Sequence, residues 1–141
     1  MQRILVPVDG SSSASNAVKH AIAISKMSPD VEVHLLHVQA PVDTGNIPSV
    51  AQPGLVDRSR LDEGHDMYAS SKKLLGEAGV RHVAQVEVGD PATAIAQYAD
   101  VHACTEIIMG TRGMGPIRSL LLGSVATKVL HVVKIPVTLV K

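Results

Sequence analysis

Residues 3–10 read RILVPVDG, a short apolar run that stops at an Asp-Gly pair. A run of this kind is typical of a buried strand followed by a turn, and it predicts a strand over residues 4–8. The sequence predicts a helix directly after this turn. Residues 11–13 are serines that can cap a helix, and the next apolar residues fall on one helical face. That face consists of Ala14, Ala17, Val18, Ala21 and Ile22. The opening of the chain therefore predicts a strand–turn–helix unit.

The same alternation of strand and helix patterns continues to residue 140. Apolar runs predict four more strands, at residues 31–38, 83–88, 106–109 and 137–140. Helical patterns separate them, over residues 57–77, after the start signal Asp90-Pro91, and from Val125 onward. A stretch with three prolines at residues 40–56 predicts a surface loop, long enough to act as a lid. Strands that alternate with helices favour parallel pairing through right-handed crossovers, so we expect one doubly wound α/β domain over residues 1–141.

The composition excludes some classes of partner. Thirteen basic residues balance thirteen acidic ones, and the chain contains neither Phe nor Trp. It therefore has no net charge to attract nucleic acid or an anionic membrane, and it lacks the aromatic platforms on which bases stack. Neither nucleic acid nor membrane is expected as a partner. The single cysteine, Cys104, cannot form an intrachain disulfide, which favours a cytoplasmic location.

Ligand chemistry is expected where the first and fourth strands end, since open α/β sheets bind ligands beyond the carboxyl ends of their strands. The densest glycine segment runs from Gly110 to Gly123 and closes on Ser124, where a helix begins. Glycines allow the backbone to approach a ligand closely, and the N–H groups of a helix start suit a phosphate. Arg118 stands where a dinucleotide fingerprint needs Gly or Ala, and the chain has no Gly-Lys-Ser/Thr sequence. Neither common phosphate motif therefore explains the segment.

The order and spacing of several short motifs resemble those of the universal stress protein family. The motifs are Ile4-Leu5-Val6-Pro7-Val8-Asp9-Gly10-Ser11, Gly89-Asp90-Pro91, Ile107-Ile108-Met109-Gly110, Gly110-x-x-Gly113 followed after nine residues by Gly123-Ser124, and Pro136-Val137. The resemblance covers nearly the whole chain. It implies a five-stranded parallel sheet in the order 3-2-1-4-5 with helices on both faces, and a homodimer paired through the last strand.

The resemblance also implies a binding site for ATP, with Mg2+. Asp9 and the backbone of Pro7 and Val8 would lie by the ribose and adenine, and Val38 would line the base pocket. The phosphates would be held by Gly110, Gly113, Gly123, Ser124 and Val125, and the set is completed by Met109, Thr111 and Arg112, of which Arg112 carries little weight. No catalytic residue and no metal-ligating side chain is assigned.

Each of these residues also has a plainer interpretation. The glycine segment could be only a flexible loop, Asp9 could cap the first helix or satisfy a turn, and Ser124 could be an N-cap. The histidines do not predict a metal site, because His34 and His37 lie three apart on a strand and so point to opposite faces. Cys104 is predicted to be a small core residue.

Three functions remain open. The chain could be a regulatory stress-response module that changes shape or protein partner with ATP, a slow ATPase or nucleotidyl-transfer enzyme, or a dimeric interaction scaffold with an empty site. An efficient NTPase positions water and stabilises charge near the γ-phosphate. Between Gly110 and Ser124 the only charged residues are Arg112 and Arg118, with no carboxylate. The regulatory module, with a protein partner that the sequence does not identify, is therefore favoured over the enzyme.

Overall fold

The fold alternates strands and helices from the first residues to the last. The computed structural model describes residues 1–9, 11–41, 54–112 and 122–141, and within these it describes only the backbone of residues 54–63. The elements are β1 (Gln2–Pro7), α1 (Ser12–Met27), β2 (Val31–Gln39), α2 (Gly54–Glu77), β3 (His82–Val88), α3 (Pro91–Val101), β4 (Glu106–Gly110), α4 (Ser124–Val132) and β5 (Val137–Val140).

All five strands form one parallel sheet in the order β3-β2-β1-β4-β5, which confirms the expected order. β1 lies at its centre, where Ile4 is in register with Val33 of β2 and with Glu106 of β4. The carboxyl ends of β1 and β4 are therefore neighbours at one edge of the sheet. This adjacency is what the site prediction requires.

Two hydrophobic cores lie on the two faces of the sheet. Along β1, Ile4 and Val6 pack with α1 and with Leu75 of α2 on one face, whereas Leu5 packs with α3 and α4 on the other. Residues that alternate along a strand point to opposite faces, so a strand that is apolar throughout can fill both cores. The helices thus cover both faces of the sheet, as expected.

The helix ends follow local sequence signals. Ser11 caps α1 by accepting a hydrogen bond from the N–H of Ala14 at 3.2 Å. Just past α2, Gly79 adopts φ +69°, a left-handed conformation that glycine tolerates. α2 begins at Gly54, so the loop predicted over 40–56 ends three residues early, and its residues 42–53 lie outside the described chain. Within the described chain, no helix combines the length and apolar character needed to cross a membrane.

Candidate functional site

The carboxyl ends of β1 and β4 gather most of the predicted site residues. Pro7 ends β1, and Val8 and Asp9 follow it; Met109 and Gly110 end β4. The N-terminus of α1 packs directly against Gly110, because a Cβ built there would lie 2.9 Å from both the amide nitrogen of Ala14 and the carbonyl carbon of Ser13. Contact within the protein is thus enough to require glycine at residue 110.

Thr111 joins the end of β4 to two other elements. Its N–H donates to the carbonyl of Val140 on β5 at 2.9 Å, and its carbonyl accepts from the N–H of Gly123 at 2.6 Å. The next residue, Arg112, is exposed, and its carbonyl accepts from the Ser13 hydroxyl at 2.7 Å. These bonds bring the start of α4 beside the ends of β1 and β4.

Within the part of the chain that the structure describes, the N-terminus of α4 has no side-chain cap. Gly123 occupies the N-cap position with φ −71° and ψ 163°, and no acidic residue lies in the first turn. Ser124 is therefore the first residue of the helix and not its cap, which corrects one of the plainer interpretations. The first amides of a helix lack intrahelical acceptors and carry the positive end of its dipole. This helix start is chemically suited to an anion.

Asp9 follows β1 as an exposed carboxylate. Its Oδ1 accepts from the N–H of Ser11 at 3.0 Å and from the Ser11 hydroxyl at 2.6 Å. This is the turn role considered for Asp9, whereas the cap of α1 is Ser11, so the capping role was wrong. Both bonds use Oδ1, and Oδ2 takes no part in them.

Three further predicted residues lie on the face of the sheet covered by α3 and α4. Met109 is buried in that core, and Val38 and Val125 are half-buried against it. Gly113 lies outside the described residues, so the structure places the two ends of the glycine segment, at Gly110 and Gly123. A groove of about 510 Å³ between α3 and α4 is lined by other residues, among them Ala96, Lys128 and His131.

Comparison with known proteins places the chain in a family. The family model for universal stress proteins matches residues 1–141. The chain belongs to the universal stress protein family. Universal stress protein MJ0531 of Methanocaldococcus jannaschii is 33% identical over 140 residues, which cover 99% of this chain and 82% of that relative.

Solved structures show the same fold. Protein MJ0577 of Methanocaldococcus jannaschii matches with a TM-score of 0.78 and 28% identity, over 99% of this chain and 95% of that one. UspA of Lactobacillus plantarum matches with a TM-score of 0.79 and 20% identity, over 99% and 97% of the two chains. The chain therefore shares its fold with these two solved proteins.

Other reactive side chains lie in the core, away from this edge. Burial raises the pKa of the Cys104 thiol to about 11, so the thiol stays protonated and packs as the small core residue that was predicted. Burial also raises the pKa of Tyr98 to about 12, and its hydroxyl lies 2.9 Å from Nδ1 of His34. Among the described residues, no three histidine, cysteine or acidic side chains group as metal ligands would.

Sequence reasoning missed two side chains that shape this edge. Ser13 was treated only as a possible cap, yet it holds the Arg112 carbonyl across the gap between α1 and β4. His37 was considered only as a metal ligand, yet its Nδ1 lies 3.0 Å from the carbonyl oxygen of Val8. On β2 it faces α2, opposite to His34, which confirms the prediction of opposite faces. The one available signal was its place next to Val38 at the end of a strand.

Proposed function

We propose that this protein binds an adenine nucleotide, with ATP as the main candidate, and acts as a binding switch in the stress response. The observation that carries the proposal is the uncapped N-terminus of α4, held by Thr111 beside the ends of β1 and β4. Amides at a helix start, together with its dipole, form an anion site to which a phosphate is matched in charge and geometry.

Relatives of the same fold support an adenine ligand. The Arabidopsis thaliana family member was solved with AMP bound, with a TM-score of 0.72 and 21% identity to this chain. The Archaeoglobus fulgidus universal stress protein was solved with dAMP, and another universal stress protein with cAMP. Adenine is common to the three ligands, which is why we propose adenine for this chain.

We assign the residues of the site by their places at the carboxyl edge. Ser124 and Val125 would offer amides to the phosphates, and Gly113 and Gly123 would leave room for them. Gly110 would border the phosphates with its backbone while it accommodates the start of α1. Asp9 would use Oδ2 on the ribose or on Mg2+. Val38 and the backbone of Pro7 and Val8 would contact the base. Met109, Thr111 and Arg112 would complete the lining of the nucleotide site.

Mg2+ fits this set of donors. The ion is usually held by one or two carboxylates together with substrate phosphates and water, and Asp9 supplies one exposed carboxylate at this edge. When bound, the ion would neutralise phosphate charge. The residues of the chain would bind and orient the nucleotide.

A switch is favoured over an enzyme because the described ends of β1 and β4 and the start of α4 offer Asp9 alone as an acidic group, and its Oδ1 is engaged by Ser11. Nothing there is placed to activate water. The homodimer, the protein partner and the cytoplasmic location belong to the same proposal. β5 supports the dimer, because it is a half-buried strand of four residues at the edge of the sheet, and an edge strand offers unpaired backbone groups to a second copy.

The test is a thermal-melt series with ATP, ADP, AMP and GTP, each with and without Mg2+. Any nucleotide that copurifies is first identified by mass spectrometry after a sample of the protein is denatured to release it. The rest of the protein is freed of nucleotide before the melts. A ligand at 100 times its Kd stabilises a protein by about 2.7 kcal/mol, which raises the melting temperature of a chain of this size by roughly 5–11 °C. Shifts with adenine nucleotides and not with GTP are expected. Nucleotide-free protein that shows no shift with any of them would contradict the proposal.

A further inference from the structure

The His37 ring bonds to the segment that leads to Asp9. His37 lies on β2 and is only 4% exposed, and its Nδ1 is 3.0 Å from the carbonyl oxygen of Val8. A carbonyl can only accept, so Nδ1 carries the proton and donates it. In this tautomer Nε2 is an acceptor with a lone pair.

Nε2 of His37 has no hydrogen-bond partner in the described structure, although it is fully buried. A buried acceptor without a partner is destabilising. An apolar side chain of similar size would fill the same space without that cost. Packing alone therefore does not explain a histidine here, and the bond from Nδ1 to Val8 remains as the distinctive contribution of the ring.

α2 packs against the other side of this ring. A Cβ built on Gly64 would lie 2.5 Å from Cε1 of His37 and 3.0 Å from its Nε2, so the helix backbone lies as close as a glycine allows. The ring of His65 meets it edge to face at a centroid distance of 5.3 Å, and Gln39 in turn contacts His65. The His37 ring is thus enclosed between α2 and the end of β1.

Val8 is tied to β2 by both of its backbone polar groups. Its N–H donates to the carbonyl of Leu36 at 2.9 Å, and its carbonyl accepts from His37. The peptide that leads from Val8 to Asp9 is therefore held at a fixed place. Through this peptide, the position of the His37 ring determines the position of Asp9.

We propose that His37 is a positioning residue of the nucleotide site, and that Gly64 sets its ring and so couples α2 to nucleotide binding. This inference rests on the proposed function. Coupling between sites is reciprocal, so a change in the contact at Gly64 alters nucleotide affinity, and nucleotide binding in turn restrains α2.

Two glycines of α2 provide a matched pair of variants. Gly64→Ala pushes a methyl group into the His37 ring, whereas Gly76→Ala adds one where nothing lies within 4 Å. With Gly64→Ala, the Kd for ADP or ATP is expected to rise roughly five- to tenfold, the scale of one hydrogen bond. Gly76→Ala should leave the Kd unchanged and raise the melting temperature, because alanine is more favourable than glycine in a helix. Equal Kd values for the two variants would overturn the coupling.

Two substitutions of His37 test the hydrogen bond itself and remain informative if Gly64→Ala does not fold. Asn and Leu have nearly the same shape, but only Asn can donate to the Val8 carbonyl. His37→Leu is expected to weaken nucleotide binding roughly five- to tenfold, and His37→Asn to restore most of the wild-type affinity. Both variants lose the ring, so a merely structural role would lower both melting temperatures and leave the two Kd values alike.

Nucleotide binding by the wild-type protein distinguishes failure of the proposed function from failure of the His37 proposal. If it binds no adenine nucleotide, the proposed function fails. If it binds and the Asn and Leu variants bind equally well, the function stands and the positioning role of His37 is wrong.

Discussion

The N-termini of α3 and α4 differ in how they are capped, and the difference supports the proposed site. Both helices follow a strand of the same parallel sheet and cover the same face. α3 is capped by its own sequence, since the Asp90 carboxylate accepts from the N–H of Thr93 at 3.1 Å and from its hydroxyl at 2.8 Å. α4 begins at Gly123, which has no side chain to offer. The chain satisfies the start of α3 with its own carboxylate and has no such cap at the start of α4, where we propose that a phosphate binds.

The N-termini of α3 and α4 also differ in charge. The hydrogen bonds from the Thr93 hydroxyl and N–H hold the pKa of Asp90 below its ordinary value, so α3 keeps a negative charge at its positive end. No acidic residue lies in the first turn of α4. α1 follows the pattern of α3, with Ser11 as its cap. Among these three helix starts, a side-chain cap is missing only at the carboxyl end of β4, where phosphate is proposed.

The largest effect is expected from making α4 resemble α3. Gly123→Asp should reduce nucleotide affinity about 100-fold or more, because a carboxylate at the cap repels phosphate and occupies the amides. The backbone there is ordinary extended chain that aspartate adopts readily, so the free protein should gain a few tenths of a kcal/mol. Isothermal titration with ATP and a melting curve measure the two effects.

Gly123→Val separates the effect of bulk from that of charge. It should also weaken nucleotide binding strongly while the fold persists, because its side chain takes the space proposed for the phosphate. Wild-type affinity in both variants would remove the start of α4 from the site.

A smaller effect is expected at Asp9. Asp9→Asn keeps the Oδ1 acceptor for Ser11 and removes the charge that would serve the ribose or Mg2+. Nucleotide affinity should fall about tenfold, and its dependence on Mg2+ should weaken. Titrations in Mg2+ and in EDTA measure both. A variant that loses stability and keeps full affinity would leave Asp9 with its turn role alone.

The smallest effect on binding is expected from making α3 resemble α4. Asp90→Gly should change the nucleotide Kd by less than about twofold, since the carboxylate is bonded to Thr93 of its own helix and has no assigned role in the site. It should lower the melting temperature through loss of the cap, with Asp90→Ser as the control that retains one.

The loss of stability should depend on pH. The pKa of Asp90 is lowered in the folded protein, so its stabilisation is present above the unfolded value of about 3.9 and disappears as the pH falls through the lower folded value. Melting curves of wild type and Asp90→Gly should therefore converge in acid. A difference that persists at the lowest pH would show that the carboxylate charge is not its source.

Local signals allowed much of the fold to be predicted from the sequence. The strand and helix periods, the Asp90-Pro91 start and the Gly79 stop act within a few residues of each other, and each is visible in the chain. The strand order came from the family resemblance, since a periodic pattern does not show which strands pair. The start of α2 at Gly54 was missed because Pro53-Gly54 favours a turn over a helix.

In the candidate site, too, local features could be predicted from the sequence, whereas features that depend on tertiary packing could not. The helix start at Gly123 and Ser124 is a local feature and was predicted. The packing of Gly110 on α1 and the enclosure of His37 by Gly64 arise from residues that only the folded chain brings together. Sequence assigned Gly110 to a ligand, whereas a contact within the protein already requires a glycine there.

Amide chemical shifts measured during nucleotide titration would show whether the start of α4 receives the phosphates. With ATP, the largest shifts are expected at the amides of Ser124, Val125 and Ala126, and the capped amide of Thr93 should not move. Adenosine, which lacks phosphate, should leave the α4 amides in place. Saturable ATP binding that moves Thr93 or leaves the α4 amides unchanged would contradict the account.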